Sequence, residues 1–119
     1  MSIRILLLSA AFAVASSAAF AGGNVSVTSQ TGNGNVSAIG QVGKGNFAGV
    51  GQVGKGNYAQ SIQMGRDNIS ATAQFGKYNQ SYTTQAGRGN LAATVQFSHD
   101  NLSSTTQSGK NNVSVTVQH

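Results

Sequence analysis

An eleven-residue repeat constrains this chain more than any other feature. Gln occurs at Gln30, Gln41, Gln52, Gln63, Gln74, Gln85, Gln96, Gln107 and Gln118. Asn keeps the same spacing at Asn24, Asn35, Asn46, Asn57, Asn68, Asn79, Asn90, Asn101 and Asn112. A glycine follows two places after most of the glutamines, at Gly32, Gly43, Gly54, Gly65, Gly76, Gly87 and Gly109, and Ser98 alone departs. No insertion or deletion breaks the register. A strict period of this kind marks stacked, quasi-one-dimensional architecture, in which each unit buries its face only against its neighbours.

Each unit reads Asn, apolar, Ser or Ala, any residue, a β-branched residue, any residue, Gln, any residue, Gly, basic, and often Gly. The eight residues from Asn to Gln and its successor predict a strand. The three that follow predict a tight turn, because glycine takes positive φ without steric cost. A helix is disfavoured, since recurrent glycine costs about 1 kcal/mol each relative to alanine. The right-handed coiled coil that an eleven-residue period can signal is disfavoured by the same glycines. Two strands and two turns make 22 residues, one coil of an all-β β-solenoid with about 4.5 coils stacked at ~4.8 Å. Units beginning at Asn24, Asn46, Asn68, Asn90 and Asn112 form one parallel sheet; those beginning at Asn35, Asn57, Asn79 and Asn101 form the other.

Side chains alternate along a strand. One face carries Asn, a small residue, a β-branched residue and Gln; the other varies in size from unit to unit. A close-packed interior needs similar volume at every coil, so the Asn/Gln face is expected inside. The inverse arrangement has the stronger hydrophobic drive and is the alternative. Buried amides need partners, and identical carboxamides stacked in register can pair with the copy above and below, as in cross-β fibres. The repeat starts two residues after a predicted cleavage site and runs to Gln118. The expectation is therefore a column without caps, whose ends leave carboxamides and strand edges open to a further subunit.

Met1–Ala21 reads as a secretory signal peptide: Arg4 in the n-region, the apolar run Ile5–Val14, and Ala19-Phe20-Ala21 as a small-x-small cleavage site. Its apolar run is short for a membrane span, so stable membrane insertion is not expected. Residues 22–119 form the repeat domain. The composition excludes several chemistries. There is no Cys and no Glu, and the only acids are Asp67 and Asp100, which disfavours thiolate metal sites and paired-carboxylate hydrolysis. His99 and His119 lack a neighbouring ligand set, and Gly-Lys-Gly lacks the P-loop spacing. No enzyme activity and no cofactor are expected.

The run Gln41-Val42-Gly43-Lys44-Gly45-Asn46-Phe47-Ala48 through Gln52 resembles the curlin repeat of curli fimbria subunits. That resemblance implies a bacterial functional amyloid, secreted through the periplasm and across the outer membrane, that builds extracellular cell-surface fimbriae for biofilm and adhesion. It implies self-polymerisation, a nucleator subunit, an outer-membrane export pore and periplasmic chaperones as partners. The major, fibre-forming subunit is favoured, because the final unit is as regular as the rest; a minor or nucleating subunit is the alternative. In curlin subunits a non-repeat segment usually precedes the repeats, whereas here only Gly22-Gly23 stands between the cleavage site and the first unit.

Sorting the outward residues by sheet predicts a lateral apolar face on the odd sheet, from Phe47, Ile69, Phe75, Leu91, Val95, Phe97 and Val113. The even sheet offers Tyr58, Gln60, Gln80, Tyr82, Thr84, Thr106 and Ser108. The six basic residues after Arg4 all fall in turns. Lys44, Arg66, Arg88 and Lys110 are expected on one edge; Lys55, Lys77 and His99 on the other. Such stripes suit anionic polysaccharide or extracellular DNA, or simply keep a polymer soluble. A soluble solenoid that binds glycan or ice is the competing function class. The threonines Thr72, Thr83, Thr94, Thr105 and Thr116 invite the ice reading, but the parity places them inside.

Overall fold

The computed structural model describes residues 22–119; the predicted signal peptide lies outside the described residues. Nine strands follow one another: β1 (Val25–Asn33), β2 (Val36–Lys44), β3 (Phe47–Lys55), β4 (Tyr58–Arg66), β5 (Ile69–Lys77), β6 (Gln80–Arg88), β7 (Leu91–His99), β8 (Leu102–Lys110) and β9 (Val113–Gln118). They form two parallel sheets, ordered β1-β3-β5-β7-β9 and β2-β4-β6-β8. Every pairing joins residues 22 apart, for example Gln52 with Gln74 and Gln63 with Gln85. The chain is a β-solenoid with two strands per 22-residue coil, as the periodicity predicts.

The strands are longer than the sequence pattern suggests. Each of β1–β8 has nine residues and runs through the glycine and the basic residue that the pattern assigns to the turn. Pairing continues there because glycine bends without leaving the ladder: φ at Gly54 is 128°, and Lys55 still pairs with Lys77. The bend also demands glycine by space, since a Cβ at Gly54 would lie 1.8 Å from the Gly76 carbonyl oxygen in the next coil. The true turn is two residues, a left-handed residue and the Asn. Where that left-handed residue is not glycine it is Asp67, Tyr78, Asp100 or Asn111, with φ of 56–58°. Asp and Asn tolerate this region better than most residues; Tyr78 is the outlier, and nothing in its surroundings explains the choice.

The interior is mostly polar. Asn46, Asn57, Asn68, Asn79, Asn90, Gln52, Gln63, Gln74, Gln85 and Gln96 are all at most 1% exposed. Between these columns sit small and β-branched side chains. Near the first coils several are apolar, with Ile39, Ala48, Val50 and Ala59 in one cluster alongside buried Ser37 and Ser61. Further along they are hydroxyls, including Ser70, Thr72, Ser81, Thr83 and Thr94. The inverse, apolar-inside packing is not adopted. Large apolar side chains such as Phe47, Ile69, Phe75 and Phe97 are instead exposed.

Candidate functional site: the stacked carboxamide columns

Two Gln columns run the length of the solenoid, one per sheet. In each, the side chain donates from Nε2 to Oε1 of the Gln one coil further along. Gln30, Gln52, Gln74, Gln96 and Gln118 are linked in this way at 2.7 Å. Gln41, Gln63, Gln85 and Gln107 are linked at 2.8 Å. The second Nε2 hydrogen crosses the interior to a carbonyl on the opposite sheet, as in Gln63 to Phe47 O at 2.8 Å and Gln74 to Tyr58 O at 2.9 Å. One carboxamide thus ties its coil to the next and one sheet to the other.

The Asn columns differ from the expected side-chain ladder. Asn Oδ1 accepts the backbone N–H of the Asn one coil on, at 3.1 Å for Asn68 and Asn79 alike. Asn Nδ2 donates to the carbonyl four residues earlier and to the carbonyl of the bend residue one coil on, as in Asn46 to Val42 O and Gly65 O, both 3.2 Å. Direct Asn–Asn side-chain bonds occur only from Asn68 to Asn46 and from Asn112 to Asn90 among the described residues. The physical reason is reach. Asn lies just outside the strand, one methylene shorter than Gln, so its amide meets the turn backbone before it meets its neighbour. Asn24, Asn35, Asn57, Asn90 and Asn101 follow the backbone pattern.

Every Gln donation points the same way, so the columns are polar. At the first described coil, Gln30 Oε1 is buried and has no partner among the described residues. At the last described coil, Gln118 Nε2 donates to Leu102 O, and its Oε1 accepts from Gln96. Among the described residues, one end of the columns therefore presents an acceptor and the other donors. Strand edges flank both: β1 and β2 at one end, β8 and β9 at the other.

Gly32, Gly43, Gly54, Gly65, Gly76, Gly87 and Gly109 all take φ of 109–128° at the bends, and Ser98 takes the same role at 81°. Phe75 and Phe97 stack at 5.4 Å between centroids on the five-strand sheet, flanked by exposed Ile69 and Val113 and half-buried Leu91 and Val95. The four-strand sheet is less polar than the sequence sorting suggests. It also exposes Val36, Val42, Ile62, Met64 and Leu102, but Gln60, Gln80, Tyr82 and Thr84 interrupt them. Lys44, Arg66, Arg88 and Lys110 line one edge groove with the bend glycines. Lys77 and His99 line a groove on the other edge, while Lys55 pairs in register with Lys77. No group of three or more potential metal ligands occurs among the described residues, and no helix there is long and apolar enough to cross a membrane.

Residues 24–54 match the model of the curlin associated repeat. The eleven-residue pattern in that segment continues in phase to Gln118. The match supports the resemblance drawn from Gln41–Gln52, and that repeat is a structural one rather than an enzyme's. No curated protein gives a significant match. Repeat and β-solenoid together fit a curli-like, amyloid-type subunit.

Proposed function

We propose that this chain is a secreted structural subunit of curli-like amyloid fibres, stacking end to end into an extracellular fimbrium that serves biofilm matrix and adhesion. The observation that carries this reading is the polarity of the Gln columns. Seven Nε2–Oε1 links point in one direction. The donor end of one copy is therefore the complement of the acceptor end of another. Adding a copy supplies a donor to the buried Gln30 Oε1 and pairs open strand edges in the same step. The geometry is head to tail, with strands in parallel register, as within each subunit.

The regularity of all nine units favours the major, fibre-forming subunit over a nucleating one. Its working partners are then further copies of itself, a nucleator subunit, an outer-membrane export pore and periplasmic chaperones. The cationic column of Lys44, Arg66, Arg88 and Lys110 adds a surface for anionic polysaccharide or extracellular DNA, through long-range, salt-dependent attraction.

Incubating the purified chain while following thioflavin fluorescence, sedimentation and fibre diffraction tests the reading. Fibres with a meridional reflection near ~4.8 Å are expected. A particle that stays discrete and monodisperse would overturn it.

A further inference from the structure

Among the described residues the two sheets are unequal: successive strands alternate between them, which leaves five in one and four in the other. The five-strand sheet starts first, with β1, and ends last, with β9. Each end of the solenoid is therefore a step. β9 stands half a coil beyond β8, and β1 half a coil before β2. Copies stacked like sheet on like sheet cannot close both sheets, because one sheet gains five strands and the other four over the same height. β9 meets β1, but β8 and β2 stand about 9.6 Å apart, twice the ~4.8 Å that pairing needs. The slot recurs at every joint and leaves two strand edges unpaired.

We infer that successive copies in the fibre are related by a half-turn about the column axis, so that the five-strand sheet of one copy continues as the four-strand sheet of the next. This joint rests on the end-to-end reading above and specifies it. β1 of the next copy pairs with β8, and β2 with β9. Each sheet then takes five strands from one copy and four from the following one, and no slot is left. Continuing the 22-residue register lays Val25 on Leu102 and Gln30 on Gln107, and Val36 on Val113 and Gln41 on Gln118. Lys110 meets neutral Asn33 rather than another cation. The exposed Phe47, Ile69, Phe75 and Phe97 of successive copies then alternate from one side of the fibre to the other.

The half-turn is already present inside the chain. A Gln of either sheet donates across the interior to the carbonyl 16 residues earlier: Gln63 and Gln85 from the four-strand sheet, Gln52 and Gln74 from the five-strand sheet, all at 2.8–3.0 Å. A rotated copy therefore meets the bonding pattern it already uses. Gln107 Nε2 donates only to Leu91 O among the described residues, and at the joint it reaches the unpartnered Gln30 Oε1. Gln30 Nε2 keeps Gln52 and finds Val113 O of the preceding copy across the interior; in a like-sheet joint its second hydrogen faces the slot.

The bends carry a second sign. At six bend glycines, Gly32 to Gly87, a Cβ would lie 1.7–2.0 Å from the carbonyl oxygen of the next bend. Ser98 and Gly109 alone have no bend above them among the described residues. Ser98 carries a side chain at φ 81°, so positive φ by itself does not bar one. Gly109 carries none, although the nearest atom to a Cβ there is Asn112 Nδ2 at 3.6 Å. The half-turn joint accounts for the difference. It lays Gly32 of the next copy on Gly109 and no described bend on Ser98, whereas a like-sheet joint lays a described bend on neither.

The chain has no cysteine, so single cysteines report the joint cleanly. Fibres are grown under reducing conditions from equal mixtures of two full-chain variants, each with one substitution, and then oxidised. Val25→Cys with Leu102→Cys is expected to give reducible dimers, because register partners on paired strands lie within disulfide reach. Val25→Cys with Val113→Cys, the like-sheet pair, is expected to give none. Gly109→Ser is expected to keep the wild-type circular dichroism and to lose elongation from wild-type seeds, because its Cβ meets Gly32 of the next copy. Dimers with Val113→Cys, dimers with neither partner, or Gly109→Ser elongating as wild type would each overturn the half-turn joint and leave the fibre reading standing. If the wild-type chain forms no fibres, the fibre reading fails and the joint fails with it.

Discussion

The Asn and Gln columns carry the same functional group, yet the solenoid uses them differently. Gln sits inside the strand, and its longer side chain reaches both the next Gln and the opposite sheet: Gln74 binds Gln96 Oε1 and Tyr58 O, and accepts from Gln52. Asn sits at the turn and holds mainly backbone: Asn68 reaches Met64 O and Gly87 O and accepts from the Asn90 N–H, beside a single side-chain bond to Asn46 Oδ1. One methylene, and a place at the turn rather than inside the strand, separate a relay between coils from a turn clamp. A ladder of identical residues in sequence need not be a ladder of identical side-chain bonds.

This contrast yields graded expectations. Gln74→Leu has the largest effect. Leucine keeps most of the volume, but it strands one Gln52 Nε2 hydrogen and Gln96 Oε1 inside the column and removes the side-chain donor to Tyr58 O, whose contact is only part-buried. At ~1–3 kcal/mol for each orphaned buried group, the loss is about 3 kcal/mol or more. It should appear as a lower denaturant midpoint, and reduced protection from exchange should reach both neighbouring coils. Asn68→Ala comes next. Its lost acceptor strands the Asn90 N–H, but the two released carbonyls lie where the contacts are only part-buried, so water replaces part of what is lost. About 2 kcal/mol is expected, with lost exchange protection confined to the turns. Equal and equally spread effects from the two substitutions would break the distinction.

Ser70→Ala sharpens it from the other side. Ser70 Oγ is buried with no partner, as are Ser61 Oγ, Ser81 Oγ and Thr94 Oγ1. Between the two carboxamide columns the interior asks for small volume rather than for a hydroxyl. Removing an unpaired polar atom relieves its desolvation cost. The midpoint of Ser70→Ala should stay level or rise by up to about 1 kcal/mol. A clear fall would mean that the hydroxyl bonds something essential.

Much of this architecture is legible in the residue spacing alone. The positions of Gln30 through Gln118 give coil length, sheet membership and register together, because one period sets all three. Inward parity follows from the constancy of Asn46, Ala48, Val50 and Gln52 against the variability of Phe47, Gly49 and Gly51. The extension of the strands through Gly54 and Lys55 is hidden, because glycine marks a bend whether or not pairing survives it. The role of Asn is hidden too, since spacing shows which side chains are stacked but not which end of a carboxamide meets backbone. The outer faces are read least well. Val36, Val42, Ile62, Met64 and Leu102 on the four-strand sheet obey no repeat rule, because an outward side chain has no neighbour above it that must match.

The most direct test of the interior carboxamide ladder is hydrogen exchange of the Gln side-chain amides, resolved by NMR. Gln60 and Gln80 face outward on the four-strand sheet and serve as references within the same molecule. Gln52, Gln63, Gln74, Gln85 and Gln96 should exchange their Nε2 protons orders of magnitude more slowly than Gln60 and Gln80. If all seven exchange at the rate of free glutamine, the columns do not exist.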